Sequence, residues 1–203
     1  MPGRPSRATA NAGASAPDLF EPVFGWRTWL VVTTAGGLRL RSVVFAKDWT
    51  PRDEFPARCE FALHRRWYRP WRRVSAHGAP STGCECGVWA AKDIEFAATF
   101  LNLYDDLLGD ACVHRVIGRV ALWGTVVDGG LGWRASRAYP AEIYVPTRRE
   151  DGQPVEAHTI ARGLACYGVP VRTVDLGVGA ESGSVVPRIR DVSGESVGEA
   201  SIT

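Results

Sequence analysis

VIGRVALWGTVVDGGLGWRASRAYPAEIYV, residues 116–145, decides the fold. Val116, Gly118, Val120, Leu122, Gly124 and Val126 recur at period two and form an unbroken small or apolar face. The opposite face, Ile117, Arg119, Ala121, Trp123, Thr125 and Val127, is mixed. That alternation is the pattern of a strand with one side on a core, and it predicts a strand over 113–128. The glycines at 129, 130 and 132 turn the chain into a second strand over 133–145. Pro140 has no N–H to give to a ladder, so an edge or a bend is predicted there. The pair reads as the central antiparallel hairpin of the domain.

Working outward, segments 26–33 and 38–45 flank Gly36 and Gly37, which can take positive φ, and read as an opening hairpin. Segment 49–58, with prolines at 51 and 56, is irregular, and 86–91 is a short strand. A first helix is predicted over 93–108, capped by Asp93 and ended by Gly109, with Ile94, Ala97, Leu101, Tyr104 and Leu108 at helical spacing. Gly118 and Gly124 leave room for it on the hairpin's apolar face. A second helix over 155–167 carries Ala157, Ile160, Ala161 and Leu164 on one side and stops at Gly168, before a last strand at 169–174. Interspersed helices and adjacent hairpins make the fold class α+β, with a mainly antiparallel or mixed sheet. Residues 1–22 and 177–203 hold too few apolar groups to offset ordering entropy and are predicted to be a disordered leader and tail around a single domain at 23–176.

The 203 residues are 45% hydrophobic and 23% charged, the composition of one globular domain with tails. Lys and Arg number 24 against 22 Asp and Glu, a net charge of +2, so any nucleic-acid reading must rest on a local patch. No run approaches the roughly 18 apolar residues of a membrane span, and the two arginines among residues 1–17 precede no apolar stretch. Neither secretion nor a membrane partner is predicted. Five cysteines, an odd number, suit reduced cytoplasmic thiols better than a disulfide framework and put metal binding on trial. The eight tryptophans are expected mostly in the core or in pocket walls.

FGWRTW at 24–29, LRLRSVVF at 38–45, Cys59, HGAP at 77–80, the Cys84/Cys86 pair running into GVWA, the 116–146 hairpin and LACYGVP at 164–170 stand in an order that resembles a family of small bacterial proteins common among actinobacteria. The resemblance covers most of residues 23–176. It implies a cytoplasmic location and one compact domain, and no activity. This chain departs from that pattern in two places. The segment between Cys59 and His77 is longer and more basic, and residues 127–130 replace an acidic, histidine-containing stretch.

Cys59, His77, Cys84 and Cys86 are the residue types of a Cys3His zinc site, with Gly83 and Gly87 letting the chain turn around the C-x-C pair. The resemblance also places these four types together. The spacing is unusual for a zinc knuckle, and the competing reading packs Cys59 and Cys86 as small hydrophobes, leaves Cys84 exposed and puts His77 on a loop. Cys112 and Cys166 are assigned to the core. HRRWYRPWRR at 64–73 interleaves Arg65, Arg66, Arg69, Arg72 and Arg73 with Trp67, Tyr68 and Trp71. Guanidinium groups pair with phosphates while aromatic faces stack on bases, so the segment suits a nucleic acid or an acidic protein; the alternative is a solvated basic loop. Trp123, Trp133, Arg134, Arg137 and Tyr139 could wall a pocket for an anionic ligand, or stabilise the hairpin as cross-strand pairs. Cys59 or Cys84 with His77 could be written as nucleophile and base, but no orienting third group is identifiable. GVGAESGS at 177–184 lacks the Gly-Lys-Ser/Thr ending of a phosphate loop. These readings favour a non-enzymatic binding or regulatory module, with an enzyme or small-ligand binder working at residues 123–139 as the alternative.

Overall fold

The computed structural model describes residues 18–59, 77–101, 112–148, 153–177 and 188–191. Nine strands form one mixed sheet among them: β1 (Asp18–Thr34), β2 (Gly37–Ser42), β3 (Asp48–Trp49), β4 (Phe55–Pro56), β5 (Val88–Ala91), β6 (Cys112–Asp128), β7 (Gly132–Pro146), β8 (Val171–Gly177) and β9 (Arg188–Asp191). Two short α-helices, α1 (Ile94–Ala98) and α2 (Ala157–Leu164), are each followed by one turn of 3-10 helix. No helix among the described residues is long and apolar enough to cross a membrane.

The β6–β7 hairpin is the centre of the sheet, as its period-two pattern predicts, and β1 pairs along the other edge of β6. Pairing also closes on itself. β5 joins β7 through Val88–Ala135 to Ala91–Gly132, and reaches β1 at Trp26, so β1, β6, β7 and β5 make a closed ring. Further along the same edge of β7 lie β4 and then β8, the latter parallel. A register shift beside Pro140 supplies the predicted bend, because the extra residue Ala141 removes the need for an N–H there. A second bulge falls at Gly124, whose φ of +71° is the left-handed conformation glycine adopts without strain.

Val116, Val120, Leu122 and Val126 are buried together with Trp29, Leu40, Trp49, Ala138, Ile143 and Val145. The helix over this face is α2, through Ala157, Ile160 and Leu164, and not the first helix as expected. The first helix packs on the other side, where Ala97 and Ala98 meet Ala91, Ile117, Tyr144 and Val174. Ile117 is therefore fully buried on the face expected to be mixed. Gly118 admits no helix either: a Cβ there would overlap the Glu142 carbonyl oxygen, so the close neighbour is the backbone of β7. Asp93 does cap α1, its Oδ1 accepting from the Phe96 N–H at 2.7 Å, but the α-helix ends at Ala98 and residues 102–108 of the expected helix lie outside the described residues.

Both termini hold more strand than composition indicates. β1 starts at Asp18, inside the predicted leader, and β9 lies inside the predicted tail, antiparallel to β8 with Val174 opposite Asp191. Segment 49–58 contributes two-residue strands to β2 and β7 rather than being wholly irregular. Of the six described tryptophans only Trp29 and Trp49 are fully buried, in an edge-to-face pair with centroids 5.5 Å apart. Cys112 and Cys166 are half-buried, not core.

Tyr167 ties the helical side to the opening hairpin. Its hydroxyl donates to the Trp49 carbonyl at 2.6 Å and accepts from the Leu40 N–H at 2.9 Å, and burial pushes its pKa up to about 12, so the proton stays in place. Tyr167→Phe would leave a buried N–H and a buried carbonyl unpaired, and is expected to cost about 1–3 kcal/mol in urea unfolding. A loss within experimental error of zero would show that the hydroxyl carries no such role.

Candidate metal centre

The loop that leads into β5 carries three of the four predicted ligands, and the chain leaving β4 brings the fourth. Ala57 N–H donates to the Ser136 carbonyl at 2.7 Å, which holds the exit of β4 against β7 and sets Cys59 beside the loop. Within the loop the Cys84 N–H donates to the Ser81 carbonyl at 3.2 Å, a turn over residues 81–84 that leads into the C-x-C pair. Gly87 then enters β5 at φ +123°, and a Cβ there would press on Pro80 and Arg134 at 3.0 and 3.1 Å. Glycine is required at that position both for its conformation and for the close approach of β7.

Cys59, His77, Cys84 and Cys86 converge, with one ligand atom from each lying within 4.8 Å of all the others. Cys59 Sγ and Cys84 Sγ are 3.8 Å apart, and His77 Nε2 and Cys86 Sγ 3.3 Å. Bonds of 2.0–2.3 Å to a tetrahedral ion imply ligand edges of roughly 3.3–3.8 Å, so two edges already have that length and the rest close with small movements. Cys86 is buried and the other three are half-buried. The alternative of dispersed, separately packed residues is not what the fold produces.

Burial raises the Cys84 thiol, but the Cys86 backbone N–H and the Cys86, His77 and Cys59 side chains outweigh it and bring its pKa down to about 7. Cys86 moves the other way, to about 11, because it is buried and because Cys84 and Cys59 beside it favour its protonated form. The neighbours thus favour the Cys84 thiolate while holding Cys86 protonated, and a divalent cation among them would remove the second penalty by binding all as thiolates.

The basic segment, Arg65, Arg66, Trp67, Arg69, Trp71, Arg72 and Arg73, lies outside the described residues. Its flanks do not: Cys59 and His77, on either side of residues 60–76, are both in the cluster.

The five residues read as a ligand pocket each have a partner within the fold. Arg134 points its guanidinium at the cysteine loop, where Nη1 donates to the Ser81, Cys84 and Cys86 carbonyls. Tyr139 donates to the Tyr167 carbonyl at 2.8 Å and accepts from the Arg52 N–H. Trp133 lies beneath the Lys92 ammonium, 4.4 Å from its ring centre, and Trp123 stands opposite Arg137, which pairs with Glu54 at 2.9 Å. An open groove of about 650 Å³ lies elsewhere, between α2 and β8, lined by His158, Ala161, Arg162, Ala165 and Val171 among others. Sequence reading thus singled out the four residues that converge but missed the contacts of Arg134 with their loop, since no spacing rule links a strand residue to a loop some fifty positions earlier.

No family model, no curated protein and no solved structure matches the chain.

Proposed function

We propose that the protein is a non-enzymatic cytoplasmic binding module in which Cys59, His77, Cys84 and Cys86 hold a structural zinc ion, and in which the basic, aromatic segment 64–73 binds a polyanion. The observation that carries this reading is the convergence of the four ligand atoms within 4.8 Å. Three thiolates and an imidazole fill the tetrahedron, and a closed tetrahedron leaves no open position for a reacting water, which makes the ion structural and not catalytic. Soft thiolate donors favour zinc over magnesium or calcium. A cytoplasmic setting keeps the thiols reduced.

The metal reading also gives the basic segment a support. Cys59 and His77 flank residues 60–76, so one ion bound by both closes that stretch into a loop. Five arginines and three aromatic side chains within ten residues then suit a single-stranded nucleic acid, phosphates on the guanidinium groups and bases on the rings.

The test has two parts. Protein purified without chelator is expected to carry close to one zinc per chain by elemental analysis, and a content far below that removes the metal from the reading. Binding of single-stranded RNA or DNA is expected to weaken steeply with salt, with a log–log slope of about −3.5 if all five arginines contact phosphates. Replacing the five by serine should flatten that slope. Affinity that ignores both salt and the replacement would rule out the polyanion role.

A further inference from the structure

We propose that Arg134 is a positioning residue for the metal centre, one that aims the ligands of the C-x-C loop and balances the charge of the bound ion. The proposal deepens the zinc reading and rests on it. Arg134 sits on β7 opposite Trp89 of β5, one strand away from the loop it serves. Its Nη1 faces three carbonyls of that loop: Ser81 at 3.3 Å, Cys86 at 3.1 Å, and Cys84. Two of the three belong to ligand residues, and the third also accepts the Cys84 N–H. A single guanidinium therefore holds the peptide planes that follow Cys84 and Cys86, and with them the directions in which those two side chains leave the backbone.

Charge points the same way independently of that geometry. Among the described residues no carboxylate pairs with Arg134, whereas Arg41, Lys92 and Arg137 each have one. A cation held half-buried against carbonyl dipoles alone lacks a counter-charge. Zinc bound by three thiolates and a neutral imidazole carries a net charge of minus one, which supplies it. Outer partners of metal ligands act in this way by fixing orientation and tuning the charge of the site. An arginine also spans several acceptors where a lysine presents a compact point charge.

The experiment uses the full chain, stripped of metal and reloaded, with zinc affinity measured by competition against a chromophoric chelator and the ligand set followed by cobalt(II) absorption. R134Q is expected to bind zinc about ten- to a hundredfold more weakly. Its cobalt spectrum at saturation should keep the wild-type thiolate bands, because the ligands themselves are intact. R134K, which restores the charge but not the fork, should fall between the two. R134Q with wild-type affinity overturns the proposal, and so does a saturated cobalt spectrum that has lost thiolate bands. Should R134Q fail to fold, R134K decides alone: weaker binding supports the clamp and wild-type affinity overturns it. Wild-type protein that takes up neither zinc nor cobalt is a different failure, that of the four-ligand reading itself.

Discussion

Leu122→Asp is expected to unfold the domain or to remove most of its stability, while Thr125→Asp, three positions along the same strand, is expected to cost about 1 kcal/mol or less. Leu122 has no exposed surface, lies opposite Ala138 in the hairpin and belongs to the cluster beneath α2. Burial of a leucine side chain contributes roughly 1.5–3 kcal/mol, and a carboxylate in its place adds the cost of an unpaired buried charge. Against a typical total of about 5–15 kcal/mol that loss is close to decisive. Thr125 is half-buried at the bulge and a carboxylate there can reach water. Urea unfolding of the two variants reads the difference directly. Equal losses would mean that the faces of β6 are assigned the wrong way round.

The second large effect concerns the metal. Cys86→Ala is expected to abolish zinc binding and, with it, the sensitivity of the melting temperature to chelator. Cys86 is the one buried member of the cluster, directly before the glycine that enters β5, so its loss opens the side of the tetrahedron that solvent cannot fill. In wild-type protein, free zinc at a hundred to a thousand times the dissociation constant stabilises the folded state by about 2.7–4.1 kcal/mol. Chelation should remove that increment and lower the melting temperature accordingly, whereas the variant should melt at one temperature with or without chelator. A wild-type melt that ignores chelator would refute the structural role of the ion.

What the sequence disclosed follows from which forces leave a periodic trace. Burial of one strand face does, so the period-two pattern alone places Val116, Val120, Leu122 and Val126 inward. The stop of the second helix was equally legible, since Gly168 takes the left-handed conformation, φ +71°, that few other residues accept. Ligand chemistry leaves its trace in residue type, which is why Cys59, His77, Cys84 and Cys86 could be singled out despite their odd spacing. Backbone pairing leaves none. Asp18 and Leu19 in β1 and Arg188–Asp191 in β9 are strand because a neighbouring edge offers hydrogen bonds, and composition carries no record of that offer. Nor could periodicity tell which helix covers which face. Both helices have an apolar stripe of the right width, and the choice depends on where each connection leaves the sheet. In sequence Arg134 reads as a ligand-binding group, because a cation beside tryptophans has the same letters whether it meets a substrate or the carbonyls of a loop.

The ring of β1, β6, β7 and β5 also sets a timetable for synthesis on the ribosome. β1 and β2 emerge early and can pair at once, but β1 finds its long partner only when β6 follows: Trp26 lies opposite Arg119, roughly 90 residues later. At about 5–20 residues per second that interval lasts several seconds or more. Throughout it, Trp29 and Val31, which end fully buried, lack their long partner and have for shelter only β2 and the short strands that follow it, Trp49 of β3 among them. β6 and β7, by contrast, are joined by a tight turn and can pair within microseconds of leaving the tunnel. The nascent chain is therefore most prone to aggregate in the interval before β6 appears, and it is in that interval that a chaperone would have most to hold.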